Sequence, residues 1–197
     1  METENKKYNS PKWAFLVSFW GRNAKDVISW HADNHKLDRI GLLVYEQEDC
    51  GAFQEAIAHD IKTINIKPES FPEKVKYQEA ILNVLQKEEI THIFLLGYQY
   101  LIRKSILEAF PNRIANIHPS LFPSFLGTKT AIQDALDYGV KVTGITTHVI
   151  DHRFDRGTIL CQEPIRIKEN DTMETLYPKF AEIGPQIILK SMQMLEE

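Results

Sequence analysis

The residues with the clearest chemical potential are Asn116 and His118, which stand two positions apart at the end of an apolar run. Alternate side chains of an extended strand share one face, so the amide and the imidazole should lie side by side. Two prolines, Pro119 and Pro123, follow and restrict the backbone, which limits where the imidazole can point. An amide N–H beside a titratable imidazole suits a reaction in which a carbonyl oxygen gains negative charge. The simpler alternative is that Asn116 ends a turn and that His118 is a buried core histidine.

A second segment, residues 151–157, supplies a carboxylate, Asp155, that could act together with this pair. A carboxylate beside an imidazole favours the charged ring and can also accept a proton. This combination favours the catalytic interpretation over the core interpretation. His148, Asp151 and His152 do not match the spacing of a standard metal site, so no metal is expected.

The elements that must position these residues alternate between short apolar runs and longer amphipathic stretches. Strands are predicted at 13–19, 40–45, 63–66, 92–96 and 113–118, and helices near 23–34, 51–59 and 71–88. Strands that alternate with helices predict a parallel sheet covered on both faces. Two further runs, 144–150 and 158–167, lie too close together for a crossover helix, which favours antiparallel pairing. The fold class is therefore α/β and Rossmann-like, a mostly parallel sheet with helices on both faces and an antiparallel addition near residues 144–167.

A last helix is predicted from about residue 172. Asp171 and Glu174 form its predicted N-cap pair. Pro178 and Pro185 lie inside the predicted helix and favour a kink.

Length and composition limit the classes of protein to which this chain can belong. The chain has 197 residues and a net charge of −4, with 43% hydrophobic and 25% charged residues. This composition predicts a disordered or loosely held tail at residues 1–12 and a single domain at residues 13–197. The mild negative charge argues against nucleic acid, and no apolar run approaches the roughly 20 residues of a membrane helix. Two distant cysteines, Cys50 and Cys161, and a polar start predict a cytoplasmic protein without a disulfide framework.

The string NIHPSLFPSFLG at residues 116–127, followed after sixteen residues by GITTHVIDHRFDRGTILCQ, resembles the folate-dependent formyltransferase family. The resemblance implies an enzyme that moves a formyl group from 10-formyltetrahydrofolate to a primary amine through an oxyanion intermediate. It implies that Asn116 and a charged His118 stabilise this oxyanion. Asp155 would hold His118 in its charged form and help to remove the proton of the amine. His148 matches a strand histidine that the family places behind the site.

The resemblance places the formyl donor against two loops. The donor-binding residues that it implies are Gly97, Tyr98, Gln99, Tyr100, Leu101, Val149, Ile150, Asp151 and Phe154. The first loop reads GYQYL where the transformylases of the family read GFMRI, so Tyr100 replaces an arginine. From the residues alone, Tyr98 and Tyr100 are explained equally well as core or rim aromatics.

The resemblance also implies a set of acceptor-binding residues, namely Trp20, Gly21, Arg22, Asn23, Lys74 and Ser120. The transformylases carry SGxGSN, whose glycines let a helix N-terminus hold a phosphate, and this chain reads SFWGRN at residues 18–23. Arg22 replaces a serine there and can itself bind phosphate. Lys74 stands where those enzymes have an arginine, although a solvated helix lysine explains it as well.

The acceptor stays open between glycinamide ribonucleotide, a nucleotide-linked amino sugar and another small amine. Residues 127–133 and 182–186 resemble the branches of the family that act on tRNA and sugars. A tRNA substrate is not expected, because the net charge is −4 and the chain has no room for a basic RNA-binding barrel. The alternatives are a hydrolase that releases formate from the donor and a catalytically idle folate or nucleotide binder. The expected partners are a small amine and folate, with no nucleic acid and no membrane, in a monomer or homodimer.

Overall fold

The helices and strands of the chain alternate along most of its length. A computed structural model describes residues 10–48, 50–151 and 157–197. The strands are β1 (Trp13–Leu16), β2 (Ile40–Tyr45), β3 (Thr63–Asn65), β4 (His92–Leu95), β5 (Ile114–His118), β6 (Val142–Val149) and β7 (Ile159–Arg166). The helices are α1 (Arg22–Asp33), α2 (Gly51–Ala58), α3 (Lys74–Lys87), α4 (Lys104–Ala109), α5 (Ala131–Tyr138) and α6 (Met173–Glu196), with short 3₁₀ turns at Leu37–Arg39 and Pro68–Ser70.

All seven strands form one sheet in the order β3-β2-β1-β4-β5-β6-β7. The five strands β1 to β5 are parallel, and β6 and β7 are added antiparallel at one side. The predicted fold class is therefore confirmed, including the antiparallel addition. Strand order reverses between β1 and β4, and the crevice at the carboxyl ends of two such strands is where open α/β sheets bind ligands.

Strand β1 shows why the sheet lies at the centre of the protein. Its four side chains are all fully buried, because the run WAFL has an apolar residue at every position. Trp13 and Phe15 pack with α1 and α6 on one face, while Ala14 and Leu16 pack with α3 and α4 on the other. Burying each large side chain stabilises the fold by about 2 kcal/mol, so this strand anchors both layers.

The antiparallel addition brings β6 directly beside the predicted catalytic strand. In the β5–β6 register, Asn116 stands opposite His148 and His118 stands opposite Thr146. The contact between β6 and β7 is close at Gly144, where an added Cβ would lie 2.1 Å from the carbonyl oxygen of Glu163. A side chain cannot be accommodated there without moving the strand.

Helix α6 begins differently from the prediction. Its N-cap is Thr172, which forms a reciprocal capping box with Thr175 instead of the predicted Asp171–Glu174 pair. Asp171 binds Lys179 at 2.5 Å (Oδ2 to Nζ), and this ammonium lowers the pKa of Asp171 to about 2. The helical assignment continues through Pro178 and Pro185.

Within the described ranges, none of the helices is both long and apolar enough to cross a membrane.

Candidate functional site

A cavity of about 610 Å³, here called cavity I, lies at the carboxyl ends of β4 and β5. Its wall comprises Phe19, Leu95, residues 97–102, Leu107, residues 116–119, Thr128, Lys129, Ile150 and Asp151. Asn116 and His118 therefore face the same space, as expected for alternate residues of one strand. Apolar side chains dominate the wall, so the polar groups of these two residues stand out within it.

The amide of Asn116 is oriented by the buried imidazole of His148. The Nδ1 atom of His148 lies 3.2 Å from the carbonyl oxygen of Val149. A carbonyl oxygen can only accept, so Nδ1 carries a hydrogen, and Nε2 is the nitrogen that faces the Asn116 amide. The Asn116 Nδ2 group donates to this Nε2 at 3.3 Å. One amide hydrogen of Asn116 is thus used within the protein, and among the described residues the second has no hydrogen-bond partner.

The imidazole of His118 is held by its own downstream loop. Its Nε2 lies 3.0 Å from the carbonyl oxygen of Phe125, so Nε2 carries a hydrogen and donates it. The ring is largely buried, yet it lines cavity I. A core histidine would account for the Nε2 contact, whereas the placement of the ring on a cavity wall fits a role in chemistry.

The loop that holds His118 is itself fixed by hydroxyl groups. Ser120 is fully buried, and its Oγ donates to the carbonyl oxygen of Ser124 at 2.7 Å. Thr146 donates to the carbonyl oxygen of Ser120 at 2.7 Å and accepts from the Phe122 amide at 3.1 Å. Ser120 does not line cavity I, and its contact with the acceptor stays a prediction. Its hydroxyl is engaged in supporting the loop.

The predicted donor loop, residues 97–101, forms one side of cavity I. The backbone amide of Gln99 donates to Ser18 Oγ at 3.0 Å, which joins the ends of β4 and β1. The side chain of Gln99 donates to both Glu46 Oε1 and Tyr100 Oη at 3.2 Å. Glu46 is 8% exposed, and among the described residues its Oε2 has no hydrogen-bond partner. Glu46 was not predicted as a site residue, because it follows a strand and no motif surrounds it.

The two tyrosines of this loop differ in environment. Tyr98 Oη donates to Tyr77 Oη at 3.0 Å, and burial raises the pKa of Tyr98 above its usual value. The ring of Tyr100 packs edge-on against both Tyr77 and Tyr98, with centroids 5.5 Å apart in each case. Burial, followed by the charge of Glu46, raises the pKa of Tyr100. Both phenols are neutral hydrogen-bonding groups near neutral pH.

A second cavity of about 530 Å³, here called cavity II, lies against the loop between β1 and α1. Its wall comprises residues 18–23, Lys25, Asp26, Leu96, Gly97 and Tyr177. It thus contains all four residues of the predicted acceptor loop, Trp20, Gly21, Arg22 and Asn23. Phe19, Lys25, Asp26 and Tyr177 were not predicted. Helix periodicity could have found Lys25 and Asp26, whereas Tyr177 is distant in sequence.

The backbone of this loop is closely fitted to helix α2. Gly21 has φ of 70°, and an added Cβ would lie 2.8 Å from Ala52 Cβ. The ring of Trp20 covers Gly51, where an added Cβ would lie 2.4 Å from the ring. Arg22 lies 3.6 Å from Asp26 (Nε to Oδ2), and the Lys25 ammonium lies 5.5 Å from the centroid of the Trp20 ring. The cavity therefore combines two cations, one carboxylate and a helix N-terminus.

Other predicted residues lie elsewhere. Lys74 is exposed at the start of α3 and does not line cavity I or II. Val149 is buried and does not line cavity I, whereas Ile150 and Asp151 do. Phe154 and Asp155 lie outside the described residues.

The two cavities adjoin, since Phe19 and Gly97 line both of them. A smaller cavity of about 180 Å³ also contains Gly97, together with Ile117 and Tyr177. The arrangement has room for two neighbouring ligands, one of them in the cavity that Asn116 and His118 line. Within the described residues, no three His, Cys, Asp or Glu side chains are grouped as metal ligands would be.

Comparison with known proteins shows which family and which proteins this chain is similar to. The model of the formyl transferase family matches residues 11–192. The chain is 35% identical over 165 residues to the phosphoribosylglycinamide formyltransferase of Bacillus subtilis, and the match covers 84% of each protein. It is 32% identical over 170 residues to the chloroplastic phosphoribosylglycinamide formyltransferase of Arabidopsis thaliana, covering 84% of this chain and 58% of that protein. The crystal structure of phosphoribosylglycinamide formyltransferase from Bacillus halodurans superposes with a TM-score of 0.86 at 31% identity, covering 94% of this chain and 93% of that chain.

Proposed function

This chain belongs to the formyl transferase family, and on that premise we propose that it transfers a formyl group from 10-formyltetrahydrofolate to the primary amine of a small phosphorylated acceptor. The observation that carries the proposal is the placement of Asn116 and His118 on the wall of cavity I, next to a second cavity with a cationic loop. The phosphoribosylglycinamide formyltransferases at 31–35% identity make a glycinamide ribonucleotide-like amine the first acceptor to test.

Cavity I has the size and wall for the folate donor. Its volume of about 610 Å³ lies in the usual range for a small-molecule pocket, roughly 300–1,000 Å³. The loop at 97–101 offers aromatic and aliphatic contacts for a flat ring system, and Asp151 offers a carboxylate at the opposite loop. Lys129 adds one exposed ammonium to the same wall, which suits a ligand that carries carboxylates.

The reaction proceeds by direct attack in this proposal. The amine nitrogen bonds to the formyl carbon, and the formyl oxygen becomes negatively charged. The free hydrogen of Asn116 Nδ2 donates to that oxygen, and charged His118 adds a second donor through Nδ1. Each such donor contributes roughly 3 kcal/mol to transition-state stabilisation in comparable oxyanion sites. The bond from carbon to N10 of the folate then breaks, and the proton lost by the amine replaces it on N10.

Asp155 is the third proposed catalytic residue, and it is assigned from the sequence motif. The family motif assigns it the role of holding His118 charged and of accepting the proton of the amine, either directly or through water. Asp155→Asn should therefore reduce turnover by orders of magnitude while donor binding changes little.

Cavity II is the proposed acceptor site. Arg22 and the N-terminus of the twelve-residue helix α1 attract a phosphate, and Asn23 and Trp20 border the same space. An acceptor amine held there reaches the formyl group at the junction of the two cavities. A nucleotide-linked amino sugar also carries phosphates and an amine, so it is the second acceptor to test.

The proposal is tested by incubating the protein with 10-formyltetrahydrofolate and glycinamide ribonucleotide, with a nucleotide-linked amino sugar in a parallel reaction. Tetrahydrofolate, formate and formylated amine are quantified. Formylated amine should form, and Asn116→Ala and His118→Ala should each lower the rate about 100-fold or more. Lys190→Ala, which changes an exposed residue on α6 that lines neither cavity, should leave the rate unchanged. Formate in place of formylated amine would establish a hydrolase, and donor binding without turnover would establish an idle binder.

A further inference from the structure

Phe19 is held in an unfavourable state in this structure. Its φ is 58°, in the left-handed region that residues with a side chain rarely adopt, and 55% of its surface is exposed. Glycine would tolerate this backbone without strain and would expose no apolar ring. A phenylalanine with this backbone and more than half of its surface exposed adds little to the stability of the fold, so its ring is free to serve a ligand.

The backbone on both sides of Phe19 is fixed. The preceding residue, Ser18, accepts a hydrogen bond from the Gln99 amide at 3.0 Å. The following residue, Trp20, accepts a hydrogen bond through its carbonyl oxygen from the Ala52 amide at 3.2 Å. The Ser18 hydroxyl and the Trp20 carbonyl thus tie the chain on either side of Phe19 to the segment after β4 and to α2, which fixes where the Phe19 side chain leaves the backbone.

Phe19 stands at the junction of the two cavities. Among the described residues, Phe19 and Gly97 are the two that line both cavity I and cavity II. A Cβ added to Gly97 would meet no atom within 4 Å, so the backbone there borders open space. Gly97 and Phe19 therefore mark the place where a ligand in cavity II comes nearest to the cavity that holds Asn116 and His118.

We propose that Phe19 determines reaction specificity by covering the junction of the cavities, so that the formyl carbon meets the acceptor amine and not water. This inference rests on the proposed formyl transfer. In formyl transfer, the amine nitrogen bonds to the formyl carbon, the carbon–N10 bond breaks, and the proton of the amine is transferred to N10. In the competing reaction, a water oxygen makes the same attack, a water proton ends on N10, and formate leaves. An apolar ring beside the formyl carbon disfavours the second reaction because it excludes water from the attacking position.

The exposed ring fits this role better than a role in folding. In the free protein it covers little of the core, as its exposed fraction shows. With both cavities filled, the same ring would contact a ligand on each side and lose its exposure to water. Burial of apolar surface would then offset the unfavourable backbone state.

The test measures how the formyl group is divided between products. Wild type, Phe19→Gly and Phe19→Leu are incubated with 10-formyltetrahydrofolate and glycinamide ribonucleotide, and the ratio of formate to formylated amine is determined. The ratio should rise about tenfold in Phe19→Gly, the scale of change that a lost apolar contact gives. Phe19→Leu keeps most of the apolar volume and should stay near wild type. His35→Gly is the matched control, because His35 is exposed with φ of 55° and does not line either cavity.

A second measurement separates this inference from the proposed function. Formate release from 10-formyltetrahydrofolate is followed without any amine, and it should be faster in Phe19→Gly than in wild type and His35→Gly. If wild type formylates no amine but Phe19→Gly still accelerates formate release, the proposed acceptor is wrong and the shielding role stands. If wild type formylates the amine and Phe19→Gly changes neither the product ratio nor formate release, the shielding role is wrong. The melting temperatures of Phe19→Gly and His35→Gly should not fall, since glycine adopts the left-handed backbone without strain.

Discussion

The orientation of Asn116 by His148 leads to a quantitative prediction about catalysis. In the proposed mechanism, Asn116→Ala removes one donor to the developing negative charge, and such a loss lowers kcat by roughly 10²–10³-fold, or about 2.7–4 kcal/mol. His148→Leu leaves Asn116 in place but removes the acceptor 3.3 Å from its Nδ2. A neutral hydrogen bond of this kind contributes about 1 kcal/mol, and without it the amide can also turn its oxygen toward the substrate. We expect kcat to fall about tenfold in His148→Leu.

The two substitutions should not be additive. We expect His148 to affect the reaction through the Asn116 amide that it contacts, so the double variant should have the kcat of Asn116→Ala within about twofold. The coupling free energy should then be about 1.4 kcal/mol, which is tenfold in rate and within the usual range for residues in contact. His148→Gln keeps a side-chain acceptor and should recover part of the lost rate. Because His148 is fully buried, urea unfolding of each variant is measured to show that the folded population is unchanged.

The assay is the initial rate of tetrahydrofolate formation at saturating donor and amine, so that kcat is read separately from KM. A double variant tenfold slower than Asn116→Ala would mean that His148 contributes independently of the amide. In that case the Asn116–His148 hydrogen bond would have no role in catalysis, and the reasoning from its geometry would be refuted.

Three further predictions concern stability and donor binding. Burial lowers the pKa of both His31 and His92, so the unfolded chain binds more protons below pH ~6.5, and the free energy of unfolding should fall from pH 7 to pH 5. Urea titrations of His31→Gln should show a weaker pH dependence, and an unchanged dependence would contradict the assignment. Glu46→Gln removes the charge that accepts from Gln99 at 3.2 Å and should raise the donor KM about fivefold with little change in kcat. Equal changes in KM and kcat would instead place Glu46 in the chemical step. Thr172→Ala should lower the free energy of unfolding by about 1 kcal/mol in calorimetry because the α6 capping box is lost, whereas an unchanged value would mean that water replaces the cap.

The sequence predicted that Asn116 and His118 share one face of their strand, because the alternation of side chains along a strand is a local rule. Two side chains at a spacing of two must share a face wherever the strand lies. The antiparallel addition was accessible for a similar reason, since seven residues cannot carry a crossover helix between two strands. These predictions needed only backbone geometry within a short stretch of chain.

The ends of some helices, and one short helix, could not be predicted, because the local sequence pattern at these places is weak. Helix α4 has six residues, and a segment this short shows no helical periodicity. The start of α3 at Lys74 instead of residue 71 follows a short 3₁₀ turn, Pro68–Ser70, that the apolar pattern does not reveal. The cap of α6 depends on which of several adjacent polar residues takes the extended N-cap backbone, and Thr172 does so.

The sequence by itself determined the fold class, the family and the identity of the polar pair on β5, because these depend on periodicity and on a contiguous motif. Only the tertiary structure decided that His148 orients the Asn116 amide, that Tyr177 borders cavity II and that Phe19 stands between the two cavities. These relations join residues 32 to more than 150 positions apart, counted from Asn116 to His148 and from Phe19 to Tyr177. Such residues meet only when the parallel sheet brings the carboxyl ends of β1, β4 and β5 to one edge and α6 packs beside them. Their contacts are set by the packing of whole layers, for which no single stretch of sequence carries the information.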